Sequence, residues 1–160
     1  MYMNKKIIAA GLALSTIGLS AASVQAKKIT SSAQAEKLAT KYVKGATVLF
    51  TEEDNDDGMH VYGVDLKKGS KKYELVYKAS NGKLIEYKWE KTNYKRNNKR
   101  MSEKEIRSLA EKKIKNATIT ETDYDSDDAE YEVEMIGKNK KYELNYSSGG
   151  ELVSYKWEKF

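Results

Sequence analysis

Tyr87-Lys88-Trp89-Glu90-Lys91 closes one stretch of this chain, and Tyr155-Lys156-Trp157-Glu158-Lys159 closes another. Upstream, Lys72-Tyr73-Glu74-Leu75 with Tyr77 is answered by Lys141-Tyr142-Glu143-Leu144 with Tyr146. Self-similarity at a fixed spacing sets the unit of folding, and here that unit is about 60 residues. The offset between copies is 71 residues in the upstream part, 69 at Tyr73/Tyr142 and 68 at Trp89/Trp157. Both slips fall among turn residues, so length changes sit in loops and the scaffold is kept.

Each copy opens with a helix signal. Ser31 is followed three residues later by Gln34, and Ser102 by Glu105. That is the capping-box spacing, in which the Ser oxygen takes a backbone N–H of the first turn and the longer side chain reaches back to the cap. Behind the caps, Ala35, Leu38, Ala39, Tyr42 and Val43 match Ile106, Leu109, Ala110, Lys113 and Ile114. All but Lys113 are apolar or aromatic at the three- and four-residue spacing of one buried helix face. Gly45 and Asn116 follow as left-handed C-caps.

The period then becomes two. Tyr62-Val64-Leu66 matches Tyr131-Val133-Met135, Tyr73-Leu75-Tyr77 matches Tyr142-Leu144-Tyr146, and Ile85-Tyr87-Trp89 matches Val153-Tyr155-Trp157. The intervening residues are mostly charged, as in strands with one buried and one wet face. Asp57-Gly58, Lys68-Gly69, Asn81-Gly82, Gly137-Lys138 and Gly149-Gly150 supply the turns. The expected class is α+β, with two tandem repeats, each one helix packed on a four-stranded antiparallel sheet. The repeats span residues 29–91 and 101–160, and a basic linker, TNYKRNNKR, fills residues 92–100. A unit of this size buries only about 60% of its unfolded surface. Contact between copies or dimerisation is therefore expected, with beads on a string and one fused body both left open.

Residues 1–26 read as a signal peptide. Lys5-Lys6 is the positive segment, residues 7–19 the apolar core, and Val24-Gln25-Ala26 the small-residue cleavage site. The apolar run falls short of the roughly 20 residues of a membrane span. The mature chain is expected from Lys27 outside the cytoplasm, secreted or wall-associated, and touching membrane only if the segment stays uncleaved. There is no cysteine, which rules out disulfides and thiol chemistry. The formal charge of +5 includes two lysines of the segment, leaving +3 with both signs interleaved along the strands. Nucleic acid is not an expected partner.

Catalytic residues are not expected. His60 is the single histidine and, without cysteine, assembles neither a zinc site nor a Ser-His-Asp triad. Asp123, Asp125 and Asp127 with Glu134 follow calcium-loop spacing, but the turn position that requires Gly is Asp128. A solvated hairpin tip is the preferred reading, with no metal or cofactor. The aromatic positions are expected mainly as core, with Trp89 and Trp157, near strand ends, the most exposed of the set. Candidate partner-binding residues are Trp89, Trp157, Tyr87 and Tyr155, with Lys95 and Arg96 of the linker. Those two, with Lys91, Lys99 and Arg100, form the cluster that fits an anionic cell-wall polymer or glycan.

The capped helix, the Lys44-Gly45-Ala46-Thr47-Val48 or Lys115-Asn116-Ala117-Thr118-Ile119 step, the Tyr-Glu-Leu strand, and the turn before Leu84-Ile85-Glu86-Tyr87 or Leu152-Val153-Ser154-Tyr155 together resemble the PepSY domain. The resemblance spans nearly all of the mature chain as two copies. It implies a non-catalytic exported module of a Gram-positive bacterium. By the same resemblance, its partner is an extracellular protein, a peptidase in the first instance, which it inhibits or regulates. No site residues come with the family.

Overall fold

A computed structural model describes residues 27–56, 58–94 and 99–160. The expected signal peptide and the linker residues Lys95 and Arg96 lie outside the described residues. The order is α1 (Ser32–Tyr42), β1 (Thr47–Asp56), β2 (Met59–Lys68), β3 (Lys71–Lys78), β4 (Lys83–Lys91), α2 (Glu103–Lys113), β5 (Thr118–Asp125), β6 (Glu130–Ile136), β7 (Lys140–Ser147) and β8 (Leu152–Lys159). Each copy is one helix followed by four antiparallel strands, as the periodicity requires.

The two helix starts use their Ser differently. At α2 the capping box is complete: the Ser102 amide donates to a Glu105 carboxylate oxygen at 2.8 Å, and the Glu105 amide donates to Ser102 Oγ at 3.4 Å. The backbone bond from Ser102 holds the Glu105 carboxyl below its ordinary range, assisted by the Ser102 hydroxyl. At α1 the Ser31 side chain makes no capping bond, and Gln34 Oε1 instead accepts from the Thr30 amide at 3.0 Å. Only the Gln34 half of the box expected there forms, one residue upstream. Past the helices, Gly45 at φ 76° and Asn116 at φ 63° take the left-handed turn expected of them.

The strands form one sheet, in the order β1-β2-β3-β4-β8-β7-β6-β5. The joint is β4 against β8, with Tyr87 opposite Trp157, Lys88 opposite Lys156 and Trp89 opposite Tyr155. The repeated phrase is thus paired with itself, antiparallel, about an approximate two-fold axis at the two lysines. The choice between separate beads and one body is settled in favour of one body.

Both helices lie on the face that carries the alternating apolar residues. α1 packs over β1 and β2, and α2 over β5 and β6. Ala35, Ala39, Tyr62, Val64, Leu66 and Leu75 are core residues of the first copy, and Ile106, Ala110, Tyr131, Val133, Met135 and Leu144 of the second. A bulge in the β3/β4 pairing sets Leu84, not Ile85, opposite Tyr77, and Leu84 joins the core. The same irregularity in β7/β8 sets Leu152 opposite Tyr146. The final strand of each copy therefore enters the core one residue earlier than strict alternation predicts.

The cap difference is testable by denaturant unfolding. Ser102→Ala should cost about 1 kcal/mol and Ser31→Ala markedly less, since only the first removes a side-chain cap. Because its carboxyl is depressed in the fold, the Glu105 contribution is present above the unfolded carboxylate pKa and is lost as pH falls through the native one.

Candidate functional site

The self-paired phrase places four aromatic residues at the centre of the sheet, on the helix side, in the strip between α1 and α2. Residues directly opposite in an antiparallel pair share a face. Tyr87 and Tyr155 stand 6.3 Å apart, Tyr87 and Trp157 6.3 Å, and Trp89 and Tyr155 6.5 Å, by ring centroids. Tyr73 and Tyr142 extend the strip on either side, and Tyr42 from α1 leans onto Tyr87 at 5.4 Å. The ammonium of Lys71 sits 3.4 Å from the Trp89 ring centroid, and Lys140 sits 3.5 Å from that of Trp157. Cations over indole faces at this distance are attracted by the ring quadrupole.

This arrangement corrects one expectation. Trp89 is 9% exposed and Trp157 7%, so they are the most buried of the four rings. Each lies in a central strand under a lysine stem, and Tyr87 and Tyr155 are the half-buried pair. Of the candidate residues, the structure brings together Trp89, Trp157, Tyr87 and Tyr155. Lys95 and Arg96 are outside the described residues.

Burial controls the titration of the strip. It drives the phenols of Tyr77, Tyr87 and Tyr155 far above their ordinary range, with neighbouring tyrosines adding to the shift, and pushes Tyr146 up to about 12. Burial lowers Lys71, assisted by the nearby charges of Lys91 and Lys113. The opposite face is polar: Lys156 bridges Glu86 at 3.4 Å and Glu158 at 3.2 Å, and Lys141 pairs with Glu134 at 2.6 Å.

The remaining titratable candidates are engaged as surface groups. His60 Nε2 lies 2.7 Å from Glu53 with both side chains about half exposed. Asp123 and Asp125 stand on β5, where Asp125 accepts from the amides of Asp127 and Asp128, and Glu134 lies across the register on β6 opposite Glu121. Of the basic cluster, Lys91 pairs with Glu151, and Arg100 stacks on Tyr124 at 3.6 Å while donating to Tyr131 Oη at 3.0 Å.

Two features escaped the reading of the sequence. A cleft of about 400 Å³ opens beside α2, lined by Arg100, Ser102, Glu103, Thr122 and Tyr124 among others. On β1, Leu49 is 52% and Phe50 58% exposed. Comparing the copies contains the signal for the second: the equivalent positions are Thr120 and Glu121, so the core does not require apolar residues there.

Residues 30–88 match PepSY, the family described as "Peptidase propeptide and YPEB domain". The matched span runs from the start of α1 through most of β4, and the helix-plus-four-strand unit recurs in α2 and β5–β8. The family match thus covers the first unit, and the second repeats its element order. No curated protein matches it. Among solved structures, a proposed lipoprotein from Clostridium difficile 630 is similar at 20% identity, over 79% of this chain and 91% of that one, with a TM-score of 0.37. The Bacillus megaterium YpeB C-terminal domain is similar at 11% identity, over 81% of this chain and 63% of that one, with a TM-score of 0.49.

Absorbance titration at alkaline pH checks the electrostatics of the strip. Part of the tyrosine absorbance should appear only on unfolding. The raised phenols stabilise the fold fully below the unfolded value near 10, and that stability is lost as pH rises from there toward the native values. Complete, reversible ionisation near pH 10 in the folded chain would contradict the burial.

Proposed function

We propose that both units are PepSY modules and that the chain is a secreted, non-catalytic binding module that inhibits or regulates an extracellular peptidase through protein–protein contact. The observation that carries the reading is the match of residues 30–88 to a family described by peptidase propeptides. The fold offers a means of such contact. The sheet ends in two outer strands, β1 and β5, whose outer sides have no strand partner among the described residues and can pair with an extended segment. The export expected from residues 1–26 and the domain limits 29–91, 92–100 and 101–160 belong to the same proposal. Among the described residues no helix is long and apolar enough to cross a membrane.

Binding of anionic cell-wall polymer through the basic linker has less support. Lys91 is neutralised by Glu151, and Arg100 is held between Tyr124 and Tyr131. Polymer binding through lysines would collapse between low and physiological salt, whereas edge or apolar docking largely persists.

Residues 27–160, titrated into a secreted metallopeptidase of the producing organism, should lower its cleavage rate in proportion to dose and continue to do so at moderate salt. An unchanged rate at saturating protein would contradict the proposal for that enzyme.

A further inference from the structure

The two outer strands are equivalent by the repeat but are not equally guarded. Both carry a bulge at the same place, between Val48 and Phe50 in β1 and between Ile119 and Glu121 in β5. The extra residue is Leu49 in one and Thr120 in the other, and the next is Phe50 in one and Glu121 in the other. A charged residue on an outer strand discourages another strand from pairing with it, and an exposed apolar pair invites one. β5 has the guarded sequence and β1 the open one.

Register places the side chains of β1. Phe50 is opposite Asp65, Glu52 opposite Gly63 and Asp54 opposite Val61, so these three stand together on the face away from the helices. Glu52 lies over Gly63, where an added Cβ would come within 3.2 Å of its Cγ. Unlike Glu134, neither Glu52 nor Asp54 has a cationic partner among the described residues. Beside Leu49 a cleft of about 170 Å³ continues over Asp65, Lys72, Glu74 and Lys88. The outer edge of β1 thus presents, at every second residue, an exposed aromatic ring and two carboxylates without a cationic partner among the described residues.

We propose that the outer edge of β1, and not that of β5, docks an extended segment of a partner polypeptide carrying a bulky apolar residue and two lysines or arginines at alternate positions. Backbone bonds to β1 supply the pairing. The apolar residue covers Phe50 and Leu49, and the two cations meet Glu52 and Asp54. Charge complementarity selects this occupant over a second copy of β1, which contains no lysine or arginine. The inference deepens the peptidase reading by stating which edge engages the partner and what sequence it selects.

The test uses residues 27–160 and two terminally blocked, fluorescein-labelled peptides, TKTKTLT and TETETLT, followed by anisotropy. Run antiparallel to β1, the first sets Leu against Phe50 and its lysines against Glu52 and Asp54. It should bind at least about tenfold tighter than the second, the order expected of two charge pairs turned to repulsion. The double variant Glu52→Lys/Asp54→Lys should remove or reverse that preference, and Phe50→Lys should weaken both peptides. Glu121→Lys/Asp123→Lys on β5 should leave the ratio as it is. All altered side chains are on exposed edges, and circular dichroism confirms the fold of each variant.

An unchanged ratio in the β1 double variant, or an equal change in the β5 variant, overturns the inference. So does a concentration-dependent dimer abolished by Phe50→Lys, which would make a second copy the occupant. Peptidase inhibition that is indifferent to the β1 substitutions removes the edge and keeps the function. A peptide preference without inhibition keeps the edge and removes the function.

Discussion

The antiparallel pairing of β4 with β8 is the constraint on which the rest of this structure depends. A single helix on four strands is marginal, because a unit of its size buries too little surface. Pairing the final strands makes one eight-stranded sheet and converts two vulnerable edges into its centre. The approximate two-fold axis explains why one phrase serves both copies: at Lys88 and Lys156 the strand meets its own equivalent, and Tyr faces Trp on either side. Replacing a buried Trp by Ala typically costs about 3–5 kcal/mol, so Trp89 and Trp157 secure the joint from the helix side. Glu86 and Glu158 bracket Lys156 on the other face and offset the repulsion of the lysine pair.

Most of this architecture is legible in the chain because its determinants are local. Helix starts, left-handed caps at Gly45 and Asn116, and strands of period two all follow from neighbouring residues. What is not legible depends on partners distant in sequence. Trp89 and Trp157 look terminal within their own strands, yet each is covered by a lysine of the preceding strand and flanked by a tyrosine from the other copy. The bulges that bring Leu84 and Leu152 into the core are set by register with the preceding strand, which alternation within one strand does not encode. Ser31 and Ser102 share a spacing, but the Gln34 side chain selects an upstream amide where Glu105 closes the box.

The copies keep the scaffold and differ on their surfaces. Glu36 accepts from Thr51 in the first, and Arg107 donates to Thr122 in the second, the same contact with the polarity exchanged. Tyr42 over the aromatic strip is answered by Lys113, and Leu49-Phe50 on the outer edge by Thr120-Glu121. A fused pair of units thus presents two different outer edges and two unlike helix rims to a partner, which separates the residues that hold the fold from those free to recognise.

Native-state hydrogen exchange of residues 86–90 and 154–158 tests the fused sheet most directly. In a central strand pair the hydrogen-bonded amides open only with the core, so their exchange should report a free energy close to that of global unfolding. Rapid exchange there, at the rate of the outer amides of β1 and β5, would mean that the copies fold as separate bodies and would contradict the account.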